Sequence, residues 1–216
     1  MTTGKQLAVA LLVVGSVVLG QNPATSAADF NEAEFRQALR LRLPQSSLTD
    51  ATRFVLNHPT VAVPLLREAV EDDLNAGLAD APSVSRLTEM IAYAANADAM
   101  DAVAELCTTH GEQFSPLVSR VLNHAVTRKR EFEVAAYAAE RYPALRKYVG
   151  EWLATNMALP LSEEILARSV LKHEASGDRN PKDSLFPLLS EHQREHFETI
   201  LESVRAIERE KAKQRQ

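Results

Sequence analysis

The stretch Val84–Gly111, VSRLTEMIAYAANADAMDAVAELCTTHG, decides how this chain folds. Its apolar residues recur at helical spacing, and Ala, Leu, Glu and Arg, which favour helix, dominate the polypeptide around it. Pro82-Ser83 opens a helix and Gly111 closes one, because a glycine takes the left-handed conformation that ends a helix. The reading is a pair of helices, 84–96 and 98–109, joined by a tight break.

The same reading extends outward. No sustained alternation of apolar and polar residues bounded by turns is present, so strands are not expected. Gly77 and Gly177 also follow apolar-periodic segments, while Gly150 falls inside one and allows close helix packing. Ser115-Pro116 supplies a cap and a first-turn proline, and Pro143 does the same work after Tyr142. Ser162 precedes Glu163 and Glu164, and Ser190 with Gln193 forms a capping box. These signals predict nine or ten helices near 31–42, 48–57, 61–76, 84–96, 98–109, 116–128, 131–141, 143–157, 162–175 and 190–211. The segment Gly177–Pro187, GDRNPKDSLFP, reads as a loop with Phe186 as a plug into the body.

Ala92-Tyr93-Ala94-Ala95 recurs as Ala136-Tyr137-Ala138-Ala139, 44 residues on, and a second apolar helix follows each copy. A weaker echo places Asn57 39 residues before Asn96. Two helices per period of about 40 residues mark a helical-hairpin repeat. Over Thr49–Met157 the chain resembles HEAT and armadillo repeats. The resemblance implies an all-α, right-handed stack of antiparallel helical hairpins, solenoid-like in form; a compact irregular bundle is the alternative architecture. The domain reading is 1–28 signal peptide, 29–187 helical repeats, and 188–216 a capping helix with a frayed polar tail. In that last helix Phe197, Ile200, Leu201, Val204 and Ile207 form one apolar stripe, and Glu191, Glu195, Glu198 and Glu202 line another face. The stripe docks the helix on the body; a partner-binding coiled-coil arm is the other use of such a stripe.

Residues 1–28 state the compartment. One cation, Lys5, precedes the apolar run Leu7–Leu19, and Gly20, Pro23 and small residues follow. That order is a secretory signal peptide, with cleavage after Ala27 or Ala28. The run is shorter than the ~20 residues that span a bilayer. An uncleaved anchor extending towards Gln21, and with it a membrane-tethered structural subunit, is the competing reading. The expected location is periplasmic or secreted.

The whole chain carries a net charge of −5, and loss of Lys5 with the signal leaves −6. A mildly acidic domain has no general attraction for nucleic acid or anionic lipid. Arg128-Lys129-Arg130 is a short basic run at a helix C-terminus, where the helix dipole accounts for it. The single cysteine, Cys107, reads as a buried inert thiol. Glu71-Asp72-Asp73 with Asn75, Gly77 and Asp80 misses calcium-loop spacing and reads as a solvated acidic helix end. His110 and His173 sit in last helical turns, where a cation is favoured. No Gly-x-Ser-x-Gly elbow and no phosphate-binding glycine loop occur.

One string carries chemistry. His192-Gln193-Arg194-Glu195-His196 places two imidazoles four apart on a helix, a spacing that binds zinc, with Glu195 as general base. It resembles the inverted zinc-peptidase motif. That family takes a third ligand from a helix well downstream; here 20 residues follow His196, and Glu202 and Glu208 lie on the same helix. The bland reading of the string, a solvated helix face, is preferred, so no catalytic residue, metal or cofactor is assigned. The expected function is protein binding or scaffolding in the cell envelope, with a protein partner and no nucleic acid. A zinc hydrolase using His192, His196 and Glu195 is the alternative. Tyr93, Tyr137, Tyr142, Tyr148 and Trp152 are the aromatics that could mark a binding face or belong to the core.

Overall fold

The computed structural model describes residues 30–157, 160–177 and 180–214. The signal segment, both cleavage positions and the anchor alternative lie outside the described residues. Eleven α-helices and no strand occur among the described residues. They are α1 (Glu32–Arg40), α2 (Leu48–Asn57), α3 (Pro59–Asn75), α4 (Pro82–Ala94), α5 (Ala97–His110), α6 (Pro116–Val126), α7 (Glu131–Arg141), α8 (Arg146–Asn156), α9 (Pro160–Ser176), α10 (Pro181–Leu185) and α11 (Glu191–Gln214). No described helix is long and apolar enough to cross a membrane.

The ends follow the local chemistry with instructive exceptions. Asn31 caps α1 in a full capping box with Glu34, and Asn96 caps α5 through the Ala99 amide. Ser190 and Gln193 exchange bonds at the start of α11, as their spacing predicts. Pro116 occupies the first turn of α6, yet the Ser115 side chain makes no capping bond. Pro143 opens a 3₁₀ turn, Pro143–Leu145, before α8. Helix α9 starts at Pro160, so Ser162 lies inside it rather than ahead of it. Gly77, Gly111 and Gly177 have φ of 76°, 90° and 72°, which favours glycine at each of these helix ends. A Cβ on Gly150 would lie 3.8 Å from Leu188, ordinary contact, so space alone does not demand glycine there.

The Gly177–Pro187 loop expectation is corrected. Asn180 caps Pro181–Leu185 through the Lys182 amide, Pro181 is in the first turn, and a 3₁₀ turn Phe186–Leu188 continues the chain. Asp178 and Arg179 lie outside the described residues. Phe186 does pack inward, half-buried, with its ring edge-on to Phe197 at 5.4 Å.

Each helix from α1 to α6 packs on the next but one. α1 meets α3, α3 meets α5, α5 meets α7, and α10 continues this odd-numbered series against α7. α2 meets α4, α4 meets α6, α6 meets α8, and the Phe186–Leu188 turn closes the even-numbered series on α8. One continuous core lies between the two, with Phe35, Leu66, Leu87, Ile91, Met100, Leu122, Leu153 and Leu166 fully enclosed. The two Ala-Tyr-Ala-Ala copies bury the same three alanines and leave the tyrosine half-buried. They belong to different series, however: one is on α4 and the other on α7. The 39-residue step runs from Asn57, the last residue of α2, to Asn96, which follows α4 and caps α5; α2 and α4 do share a series.

Helix α11 docks on α9 through Phe197, Leu201 and Val204, all buried. Ile207, expected in the same stripe, is 48% exposed, because the stripe leaves the body one turn earlier. The helix extends to Gln214.

Candidate interaction surface

Three shallow grooves open where members of the odd-numbered series meet. The first, about 230 Å³, lies between α1 and α3, with Arg36, Arg40 and Arg42 facing Glu68 and Asp72. The second, about 180 Å³, lies between α3 and α5 and is lined by Arg67, Asp98, Asp101 and Glu105. The third, about 190 Å³, lies between α7 and α10 and takes Glu133, Tyr137, Glu140, His173, Asn180 and Ser184. Cations lead in the first groove and carboxylates in the other two.

Polar links between distant helices hold these walls in place. In the first groove Arg42 pairs with Asp73 at 2.6 Å, and the Ser83 hydroxyl donates to the other carboxylate oxygen at 2.7 Å. Arg42 and Leu43 both sit at left-handed φ, 55° and 52°, and Arg86 donates to the Leu43 carbonyl at 2.8 Å. That conformation is unfavourable for side-chain-bearing residues and persists because these bonds over-determine it. Asp73 is 1% exposed, which corrects the reading of 71–73 as a wholly solvated acidic end. An uncompensated carboxylate there would be expensive; Arg42 and Ser83 compensate it.

Between the second and third grooves, the Tyr137 and Tyr142 hydroxyls both donate to Asp101 Oδ1 at 2.7 Å. Arg141 Nε donates to the Tyr142 oxygen at 3.2 Å, and the Arg141 guanidinium packs over both rings. Burial first, then the bonded Asp101 carboxylate, pushes both phenols above their ordinary range. They therefore stay protonated and act as fixed donors that pin α5 to α7. Trp152, by contrast, belongs to the core, its indole donating to Asn123 at 2.9 Å.

The zinc string is disposed otherwise. His192 and Glu195 are exposed, and His196 is 57% exposed with Nε2 3.3 Å from Glu163 Oε2. Of the carboxylates considered as a third ligand, Glu202 is exposed and Glu208 is taken by Arg168 at 2.6 Å and Lys211 at 3.2 Å. No group of three His, Cys, Asp or Glu side chains is brought together among the described residues.

Cys107 is half-buried rather than buried, and burial, then Glu112, pushes its thiol up, away from the thiolate that a nucleophile needs. His110 leans edge-on against Phe114 at 6.2 Å with Nε2 buried and without a hydrogen-bond partner. His173 closes on its own helix through the Ser169 carbonyl at 2.8 Å. His124 lies 3.0 Å from Glu89 and stacks near Tyr93, and His58 packs on Phe54. The basic run does cap a helix end, but Arg128 caps that of α4: it donates to the Tyr93 and Ala94 carbonyls at 2.7 and 2.6 Å. Those bonds are in addition to the run's place just past the end of α6.

Sequence reasoning missed the link of Arg42 and Ser83 to Asp73, and it missed Asp101 as the partner of two tyrosines. The partners lie 31 and 36 residues apart, beyond any local spacing rule. Comparison with protein-family models, with curated proteins and with solved structures finds no match.

Proposed function

We propose that this chain is an exported, non-catalytic helical-repeat protein that binds another protein in the cell envelope, holding an extended segment of it along the odd-numbered helices. The supporting observation is the next-but-one packing of α1 to α8, which is compatible with stacked helical hairpins. Such a stack offers a long shallow surface in place of a deep cavity. The three grooves follow one another along one series, with a cationic start and an acidic continuation. A partner segment carrying basic residues suits the second and third grooves. Export rests on the basic, apolar and small-residue order of residues 1–28.

The test is crosslinking in intact cells with a C-terminally tagged chain, beside an Asp98→Lys, Glu133→Lys variant. One envelope protein captured in proportion by the native chain and lost by the variant supports the reading. A bare monomer at every crosslinker length, or equal capture by both, contradicts it. An intact mass matching residues 28–216 or 29–216 supports export; an uncleaved mass points to the anchored form.

A further inference from the structure

The largest cavity among those described is not on the groove series at all. It is a cleft of about 510 Å³ between α9 and α11, lined by Arg168, Leu171, Lys172, Arg205, Glu208, Arg209 and Ala212. Four cations and one carboxylate line it in a chain whose net charge is −5.

The cations divide into two kinds. Arg168 crosses from α9 to Glu208 on α11 at 2.6 Å, and Arg205 crosses from α11 to Glu174 on α9 through two bonds of 3.1 and 2.9 Å. These bridges occupy both arginines. Lys172 and Arg209 have no carboxylate partner among the described residues. Leu171 is half-buried against the core and Ala212 is exposed, so apolar surface lies beside the unpaired cations. The stems of Lys and Arg extend that apolar surface.

The size decides between classes of ligand. A stable protein interface takes about 20–30 residues a side, and seven line this cleft. A volume of about 510 Å³ lies within the range that holds a small molecule. We propose that the cleft binds a free single-chain fatty carboxylate, its head group on Lys172 and Arg209 and its hydrocarbon chain along Leu171 and Ala212. The Arg209 guanidinium offers the planar fork that matches a carboxylate, and Lys172 adds a point charge.

The test is titration of the full chain with tetradecanoate, read by calorimetry, beside Lys172→Glu, Arg209→Glu and the milder Lys172→Gln, Arg209→Gln variant. Tetradecanol and vesicles of phosphatidylglycerol are run in parallel. The expected result is saturable one-to-one binding of tetradecanoate, weakened at least about 10-fold by the charge reversal and by a smaller factor in the Gln variant. Tetradecanol should bind more weakly than the carboxylate. If the Glu variant does not fold, the Gln variant alone decides. Unchanged affinity in the variants, equal affinity for the alcohol, or no saturable binding overturns the proposal. So does charge-dependent vesicle binding without uptake of free tetradecanoate, which would make the face a membrane contact.

Discussion

The body from α1 to α8 and the C-terminal part from α9 to α11 are built from the same helix-forming residues and held by different means. In the body, side chains from distant helices satisfy backbone carbonyls and carboxylates, the buried Asp73 among them: Arg42 on Asp73, Arg86 on Leu43, Arg128 on the end of α4, two tyrosines on the half-buried Asp101. In the C-terminal part, α11 relies on Phe197, Leu201 and Val204, and its arginine–glutamate bridges to α9, Arg168–Glu208 and Arg205–Glu174, lie at the surface. Surface ion pairs contribute little, typically under about 1 kcal/mol. The body should therefore open as one unit, and α11 should open before it.

Core truncations give the largest effects and the sharpest contrast. Ile91→Ala in the body should cost about 2–5 kcal/mol and lower the whole cooperative transition in urea. Phe197→Ala should cost about 3–5 kcal/mol locally, with hydrogen exchange accelerated in α11 and unchanged in α3 to α5. Equal loss of protection in both regions would break the comparison.

Next come the buried polar links. Asp73→Ala leaves Arg42 unpaired and the left-handed Arg42-Leu43 turn without its anchor, at a cost of about 3 kcal/mol in urea unfolding. Removing Arg168 and Glu208 together should cost under about 1 kcal/mol, since both are close to half exposed.

Glu131 gives a pH-dependent prediction. It is 3% exposed at the start of α7, with Oε2 buried and unpartnered. Burial pushes its carboxyl up, against an opposing backbone hydrogen bond, and Glu133 adds to the rise. A folded-state value above the unfolded one means stability that is fully present below the unfolded pKa and lost as pH rises through the folded one. Glu131→Gln should therefore raise the urea midpoint at pH 7, and the gain should vanish at pH 3.

What the sequence made legible was local. Helix positions, the Ser190 capping box and the Phe197–Val204 stripe follow from neighbours within one or two turns, and the all-α class follows from them. Helix α10 was locally signalled too, by Asn180 before Pro181, but Gly, Asp and Pro in the same segment weighed towards a loop. The Ala-Tyr-Ala-Ala match found two helices with the same burial pattern and could not tell which series each joins. The groove walls depended on pairs such as Asp101 with Tyr137, whose meeting is a product of the packing itself.

The central claim is that the odd-numbered helices carry the binding surface. A photo-crosslinking side chain at Asp98, in the second groove, and another at Arg53, exposed on α2, test it most directly in intact cells. The account predicts one crosslinked envelope protein from position 98 and none from position 53. The reverse pattern, or the same products from both, would contradict it.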